Sequence, residues 1–437
     1  MELVHASAQR ACAWRDARIA PGGALVAALE DDDTVRTFEI NNQSQTHAEQ
    51  PAATSAQTQT PASAHPSPDS SSSFSSSSSS SSLSEERQEG EPSSSASLPW
   101  TCKRQIPLGD AVRAVDWYPH MRADEPTTCA LLAAVRGQPV QLVDGNTGKV
   151  RAAYRMYCSD NSDELDDVTA VGFAPDGAVF VAGDATGRIR VVDLSKPGGE
   201  AVRHALEAPT RARKRRRGDI LDDSERTVAR GIVSCLGFAP PHAWCTSRSF
   251  LAGTMTGTCG VYDLRVDLQS APSLRLDGHH GGITSACFGA DGDHFAYTSA
   301  RRDNRILCWD VRGTTQGALF SMERDGAHSN VRLGFQVCPC TGRYVYAGRR
   351  DGDVAVFDLQ ESGHEVARHR IASRGAAVSV VAMCASRRSL PVSDRMGGTP
   401  PSTALRIACV ASERARARVV PAGRARGTRR GAGERSG

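Results

Sequence analysis

The stretch GHHGGITSACFGADGDHFAYTSARRDNRILCWDVR, residues Gly278–Arg312, carries the clearest strand pattern in the chain. Within it, ITSACF and FAYTSA are short apolar runs separated by a turn that contains Gly and Asp, and ILCWD is a third run that ends at Asp310. Runs of this length, bounded by Gly and Asp turns, are typical of strands in an antiparallel meander. The stretch therefore predicts at least three consecutive paired strands.

The ending of this stretch, an apolar pair closed by Asp, occurs five times. It reads LVD, VVD, VYD, CWD and VFD, with the acids at Asp144, Asp193, Asp263, Asp310 and Asp358. A looser match, FEI, comes first at Phe38–Ile40. When a Ser-rich stretch at 43–99 and a basic insertion at 207–229 are set aside, the repeat length is about 47 residues, close to that of propeller blades. This period predicts four-stranded sheets repeated around an axis, each covered by its neighbours.

Counting the repeats predicts an all-β, seven-bladed WD-repeat β-propeller that occupies residues 1–42 and 100–411. We expect the first blade to close across the Ser-rich stretch, through Cys102–Ile106. The seventh blade is assigned three strands and an N-terminal one that closes the ring: Ala377–Cys384, Ala404–Val410, Arg416–Val420 and Glu2–His5. Such closure removes the exposed edges that an open array of sheets would leave.

Two segments have compositions that cannot form a packed core. The insertion at 43–99 holds a Ser run broken only by Phe74, and the tail at 412–437 has eight arginines and two glutamates. Segments this polar do not bury enough apolar surface to offset their ordering entropy, so both are predicted to be disordered. The tail resembles disordered RNA-binding segments in composition.

Four residues of the opening stretch take the positions of the hydrogen-bond tetrad of WD repeats: His279, Ser299, Asp303 and Trp309. A buried imidazole between a turn carboxylate and a strand hydroxyl satisfies groups that are costly to leave unpaired. We therefore interpret Ser, His and Asp here as a structural network and not as a catalytic triad. The chain has no GxxxxGK[ST], HExxH or GxSxG motif, so we expect a non-enzymatic binding platform with no catalytic residues and no cofactor.

The composition predicts an intracellular protein with no metal site. There is no apolar run long enough to cross a membrane and no secretory signal at the N-terminus. The 13 cysteines form no CxxC pair, which argues against both a disulfide framework and a structural zinc site. We expect most of them to be small, reduced, buried strand residues.

One basic run lies inside the insertion at 207–229. RARKRRR has six basic residues in seven: Arg211, Arg213, Lys214, Arg215, Arg216 and Arg217. Its density favours a nuclear localisation signal or a nucleic-acid arm over the alternative, a solvated charge run in a loop. The body outside the basic segments is slightly acidic, so a polyanionic partner would need local basic patches.

Three stretches carry motifs that are more specific than the general repeat. Gly109–Met121 contains WYP-x-M, Pro139–Gly177 contains DxxTGxxRAxYRxY followed by DEL, and Gly278–Arg312 contains GHxGGIT and SARxDxxILCWDxR. In this order and spacing they resemble the telomerase Cajal body protein family, over roughly 12–40 and 100–385. The resemblance implies a nuclear protein of the Cajal body that binds small Cajal body RNA or telomerase RNA together with ribonucleoprotein proteins. We expect a single, monomeric propeller.

In the blades of WD-repeat propellers, the loops that enter the first strand and those that join the second and third strands lie on the same face. Seven arginines are assigned to that face as RNA-binding candidates: Arg136, Arg188, Arg301, Arg302, Arg305, Arg349 and Arg350. Guanidinium groups pair with phosphates and stack on unpaired bases. The alternative is that Arg301 and Arg349 brace turn carboxylates such as Asp303 and Asp351.

The sequence also allows a second class of function. CWDVR (Cys308–Arg312) and VYDLR (Val261–Arg265) match the WD-x-R pattern of propellers that dock onto cullin-type ubiquitin ligases. The pattern is short and arises readily from the repeat itself. The alternative function is therefore a protein-interaction adaptor, either a ubiquitin ligase substrate receptor or a spliceosomal scaffold.

Overall fold

The computed structural model describes residues 2–5, 14–30, 32–40, 100–122, 124–157, 164–198, 202–206, 231–240, 248–266, 272–290, 294–313, 317–324, 330–339, 341–371, 377–386 and 404–412. The predicted disordered insertion at 43–99, the basic run at 211–217, the strand at 416–420 and nearly all of the C-terminal tail lie outside these residues.

Six four-stranded antiparallel sheets follow one another along the described chain. The first contains β2 (Trp14–Ile19), β3 (Leu25–Glu30), β4 (Thr34–Ile40) and β5 (Trp100–Pro107). The second contains β6 (Val112–Trp117), β7 (Ala130–Val135), β8 (Val140–Asp144) and β9 (Val150–Tyr154). The third contains β10 (Val168–Phe173), β11 (Val179–Asp184), β12 (Ile189–Asp193) and β13 (Val202–Leu206).

The same order of strands continues in the second half of the chain. The fourth sheet contains β14 (Val233–Phe238), β15 (Ser249–Thr254), β16 (Thr258–Asp263) and β17 (Leu274–Asp277). The fifth contains β18 (Ile283–Phe288), β19 (Phe295–Ala300), β20 (Arg305–Asp310) and β21 (Phe320–Glu323). The sixth contains β22 (Phe335–Val337), β23 (Tyr344–Gly348), β24 (Asp353–Asp358) and β25 (His364–Arg370). The helical content of the described residues is one 3-10 turn, Pro126–Thr128.

The seventh sheet has three strands: β26 (Ala377–Ser386), β27 (Ala404–Ser412) and β1 (Glu2–His5), in the order β1-β27-β26. The first strands of all the sheets pack in chain order, and β26 lies between β22 and β2, so it closes the ring. The predicted all-β propeller is confirmed, and the described residues form six four-stranded blades where seven blades were predicted. The described chain has six complete blades and an incomplete seventh sheet, because β1 pairs directly with β27, in parallel, instead of adding a fourth strand.

The aspartates of the repeat explain why the pattern marks strand ends. Each of the five ends the third strand of its sheet. Its side chain accepts a hydrogen bond from the backbone N–H two residues later, at 2.8–2.9 Å, as Asp193 does from Ser195 and Asp310 from Arg312. An Asx turn of this kind reverses the chain at low cost. The repeated ending is therefore the turn after the third strand.

The hydrophobic core is divided into layers between neighbouring sheets. One layer, for example, joins Val181 and Val191 of the third sheet to Phe250 and Tyr262 of the fourth. The rings of Phe250 and Tyr262 stack with their centroids 5.2 Å apart. Because alternate residues of a strand face opposite sides, a sheet with a neighbour on each side contributes to two such layers. No blade could bury both of its faces alone.

A β-bulge recurs at the second or third residue of the first strand in six of the seven described sheets. The bulged residues are Arg15, Arg113, Thr169, Ser234, Thr284 and Ser379. A bulge turns its side chain away from the regular alternation. As a result, the first five of these side chains line one cavity at the mouth of the central channel.

We expect that deleting Ser44–Ser97 leaves the melting temperature within about 5 °C of the full chain, because the core of the described residues is built without this span, and the length of a loop between paired strands has little effect on stability. Ile40 of β4 already pairs with Trp100 of β5, so a short loop can join the two strands. Thermal unfolding followed by circular dichroism measures the change. Loss of the folded protein after the deletion would contradict the assignment of 43–99 as an insertion.

Candidate nucleic-acid interface

The tetrad of the fifth blade is assembled as a series of hydrogen bonds. His279 Nδ1 lies 2.9 Å from Asp303 Oδ2, and His279 Nε2 lies 2.8 Å from Thr298 Oγ1. Trp309 Nε1 donates to the same Thr298 oxygen at 2.7 Å. Because the carboxylate can only accept, Nδ1 carries the imidazole proton and the Thr298 hydroxyl donates to Nε2. Both ring nitrogens of His279 and the indole N–H are thereby satisfied.

The hydroxyl of the tetrad belongs to Thr298, so its assignment to Ser299 is wrong. Adjacent residues of a strand point to opposite faces. Thr298 lies on the face of β19 shared with Ala296 and Ala300, which pack with Trp309. Ser299 points to the other face, where its hydroxyl lies 3.3 Å from Thr284 Oγ1.

Arg305 belongs to this network and not to an open rim. Its Nε donates to Asp303 Oδ1 and one terminal nitrogen donates to Asp303 Oδ2, both at 2.9 Å, while a further bond reaches the carbonyl of Gly278 at 3.0 Å. Burial would raise the pKa of Asp303, but the hydrogen bonds from His279 and Arg305 outweigh it and hold the pKa well below its ordinary value. Arg305, and not Arg301, therefore braces the turn carboxylate of Asp303, while Arg349 lies 3.7 Å from Asp351, as the alternative predicts.

Two further RNA-binding candidates are buried. Arg188 is 9% exposed and lies 3.3 Å from Asp166, in a cluster that also contains Arg190 and Asp184. Arg349 is 1% exposed and lies 3.2 Å from Glu365. Packing and paired carboxylates account for both side chains, so neither presents its guanidinium to a ligand from the surface.

The remaining candidates share one face, which we call the upper face: the turns between second and third strands and the residues that lead into the first strands. These two sets are joined by backbone hydrogen bonds, such as Arg136 N to Ala111 O at 3.0 Å and Arg301 N to Gly282 O at 2.8 Å. Arg136, Arg302 and Arg350 are exposed on it. Arg136 lies 3.1 Å from Asp110, and Arg302 donates to the side chain of Asn330 at 2.8 Å.

The structure adds three arginines that the sequence prediction missed. Arg15, Arg113 and Arg332 line the cavity at the channel mouth, together with Arg301. Arg15 and Arg113 are bulge residues, and a lone Arg at the start of a strand carries no signal that it will face the channel. Arg113 pairs with Asp167 at 3.3 Å.

Bulge side chains also connect each blade to the next at the channel mouth. Thr169 Oγ1 donates to the carbonyl of Val233, and Ser234 Oγ to the carbonyl of Ile283, both at 2.6 Å. Arg15 reaches the carbonyl of Val112 in the same way at 3.1 Å. The mouth is therefore a rim in which side chains of one blade are hydrogen-bonded to the backbone of the next.

The opposite, lower face carries the turns after the third strands and those between first and second strands. Arg265 and Arg312, the arginines of the two WD-x-R matches, are more than half exposed there. Each is paired with the aspartate of its own turn, Arg265 with Asp263 at 2.6 Å and Arg312 with Asp310 at 2.8 Å. In the described residues no helix is long and apolar enough to span a membrane, and no cluster of metal-ligating side chains is found.

The family model described as WD domain, G-beta repeat matches residues 160–193 and 270–310. The second of these segments contains the complete tetrad, and the first contains the Asp166–Arg188–Arg190 cluster. The match therefore covers parts of the third blade and most of the fifth.

Curated relatives match a larger part of the chain. Telomerase Cajal body protein 1 of Bos taurus is 31% identical over 257 residues, and that of Homo sapiens is 30% identical over 257 residues. The homolog of this protein in Drosophila melanogaster is 28% identical over 260 residues. Each alignment covers 59% of this chain and 41–42% of the relative, so the chain spans about two fifths of the length of these relatives. The resemblance found in the motifs is confirmed: the chain is a WD-repeat propeller protein homologous to telomerase Cajal body protein 1.

Proposed function

We propose that this protein is a non-enzymatic scaffold whose upper face binds H/ACA-type small Cajal body RNA, with telomerase RNA as a further ligand, and brings it to nuclear Cajal bodies. The observation that carries the proposal is the set of exposed arginines on one face of a closed ring of blades. The names of the relatives support the location and the class of partner. Ribonucleoprotein proteins are the expected protein partners.

The upper face has the chemistry that a structured RNA loop requires. Arg136, Arg302 and Arg350 are exposed and belong to three different blades, so they are spread around the ring. Arginines at separated positions can contact phosphates in different parts of a folded RNA, and their planar groups also stack on unpaired bases. The backbone φ of Arg302 is 56°, a left-handed conformation that residues other than glycine adopt mainly in turns.

Replacing Arg136, Arg302 and Arg350 with Gln is expected to weaken binding of a guide-RNA hairpin by on the order of ten- to a hundredfold, since an exposed charge pair contributes up to about 1 kcal/mol. The salt dependence should also flatten, by about 0.7 in logarithmic slope for each phosphate that is no longer neutralised. Titrations at three salt concentrations, with a cognate and a scrambled loop, measure both quantities.

A matched control removes the same charge from the lower face, through Arg122→Gln, Arg265→Gln and Arg312→Gln. Arg122 is 63% exposed and is paired with an exposed carboxylate, that of Asp124. The control should bind RNA as the wild type does. Equal weakening in both variants would mean that only net charge matters, and unchanged binding in the upper-face variant would move the RNA site elsewhere.

The same control tests the alternative of an interaction adaptor. Arg265 and Arg312 are the residues that would contact a cullin-type ligase subunit. If the lower-face variant no longer co-purifies with a ligase subunit while no RNA is enriched with the wild type, the adaptor function replaces the scaffold proposal. Deletion of 211–217, by contrast, is expected to abolish nuclear entry and leave the loop preference of RNA binding unchanged.

A further inference from the structure

The mouth of the central channel holds a cavity of about 480 Å³. This volume lies within the range of small-molecule sites, roughly 300–1,000 Å³. One part of its wall is charged and another part is apolar. Four arginines and two aspartates give one part a net positive charge: Arg15, Arg113, Arg301, Arg332, Asp16 and Asp167. Large aliphatic side chains form another part, and they include Ile232, Met255 and Ile283.

The carboxylates of the cavity are already engaged. Asp167 lies 3.3 Å from Arg113, and Asp16 lies 3.8 Å from Arg18. Arg301 and Arg332 form no ion pair with any described residue. These two guanidinium groups are therefore the uncompensated positive charge of the mouth.

The surroundings of Arg301 are unfavourable for a cation in the absence of a ligand. Burial, and next the positive charge of Arg332, lower its pKa. Its Nε is shielded from solvent and has no hydrogen-bond partner among the described residues. Arg332 donates to the carbonyl of Thr284 at 3.0 Å, which fixes its side chain beside the cavity. An anion placed between the two groups would relieve their mutual repulsion and could accept hydrogen bonds from their terminal nitrogens.

The aliphatic wall of the cavity is partly open to solvent. Ile232 is 41% exposed and Met255 is 36% exposed. Met255 follows the second strand of the fourth blade and Ile232 precedes the first strand, and their backbones are joined by a hydrogen bond of 2.9 Å. A flat apolar or aromatic group can pack on this pair while an attached anion reaches the arginines.

We propose that the channel mouth binds a single nucleoside phosphate unit, with the phosphate between Arg301 and Arg332 and the base against Ile232 and Met255. The unit comes either from a free nucleotide or from one nucleotide splayed out of an RNA strand. The second source rests on the proposed RNA-binding function, whereas the first does not. Binding at the channel mouth requires both a positive charge and an apolar surface, whereas the proposed binding at the upper face depends on its arginines.

The test uses the full chain and UMP as the probe, with ribose 5-phosphate and uridine as the matched fragments. Isothermal titration at low salt should show UMP binding more tightly than either fragment. Arg301→Gln combined with Arg332→Gln should weaken UMP binding at least about tenfold, because two charge-assisted hydrogen bonds to phosphate are removed. Met255→Ser should reduce UMP affinity toward that of ribose 5-phosphate and leave ribose 5-phosphate binding unchanged.

Arg265→Gln and Arg312→Gln on the lower face serve as the control, and melting curves verify that all variants are folded. If a hairpin RNA displaces UMP, the unit belongs to the RNA strand; if RNA and UMP bind independently, it is a free nucleotide. The proposed site is overturned if the wild type does not bind UMP and the Arg301/Arg332 variant binds RNA as tightly as the wild type does. The upper-face variant is measured in parallel, so failure of the RNA proposal is seen separately.

Discussion

Asp166→Ala is expected to lower the free energy of unfolding by about 3–5 kcal/mol, since removing one partner of a buried ion pair leaves charge without compensation. Asp166 is 4% exposed and is the shared acceptor of Arg188 and Arg190, which are 9% and 5% exposed. Arg190 also lies 3.2 Å from Asp184, which cannot neutralise both guanidinium groups. Denaturant unfolding, with the slope compared between variants, measures the change.

The control for this prediction is Asp124→Ala, which breaks an exposed Arg–Asp pair of similar length, 3.1 Å. That change should cost less than about 1 kcal/mol. Equal, small effects of the two substitutions would contradict the assignment of a buried ion-pair cluster beside the DEL segment. Asp166 directly follows that segment, and its N–H donates to Met156 O at 2.8 Å.

His279→Ala is expected to destabilise the protein by about 2–5 kcal/mol, because it leaves two buried groups, the Thr298 hydroxyl and the Asp303 carboxylate, without their common partner. Thr298→Ala should also be destabilising, while Ser299→Ala should change the free energy of unfolding by less than about 1 kcal/mol. Comparing these two substitutions distinguishes the tetrad residue, Thr298, from its neighbour on the same strand, Ser299. A larger effect of Ser299→Ala than of Thr298→Ala would contradict the geometry.

The tetrad also predicts the direction of acid sensitivity. The folded-state pKa of Asp303 lies below its ordinary value of 3.8. Its contribution to stability is therefore fully present above that value and disappears as the pH falls toward the folded-state pKa. In His279→Ala the pKa of Asp303 should be closer to the ordinary value, so the stability of the variant should depend less on pH below about 4.

The repeat in the sequence predicted the strands well because it reports local chemistry. The aspartates at the ends of third strands form their turns with atoms only two residues away, so a pattern of a few letters contains the whole interaction. The resemblance to the relatives came from the same kind of short, ordered motif. These features do not depend on how the blades are packed.

The sequence could not predict features that arise from packing between distant segments. Arg188 meets Asp166, 22 residues earlier, and Arg349 meets Glu365, 16 residues later, so their burial depends on neighbouring strands. The choice between Thr298 and Ser299 depends on strand register to a single residue. Arg15 and Arg113 reach the channel mouth only because a bulge changes the direction of their side chains.

The pairing of β1 with β27 affects the order of folding. Glu2 is opposite Arg406, and His5 is opposite Cys409, so this pairing joins the most distant described segments of the chain. During synthesis the N-terminal elements emerge first, at a rate of about 5–20 residues per second, so β1 waits without its partner strand for roughly tens of seconds after it leaves the ribosome. Contacts of such high sequence separation slow folding, and until β27 arrives the first blades form an open arc whose terminal edges need protection.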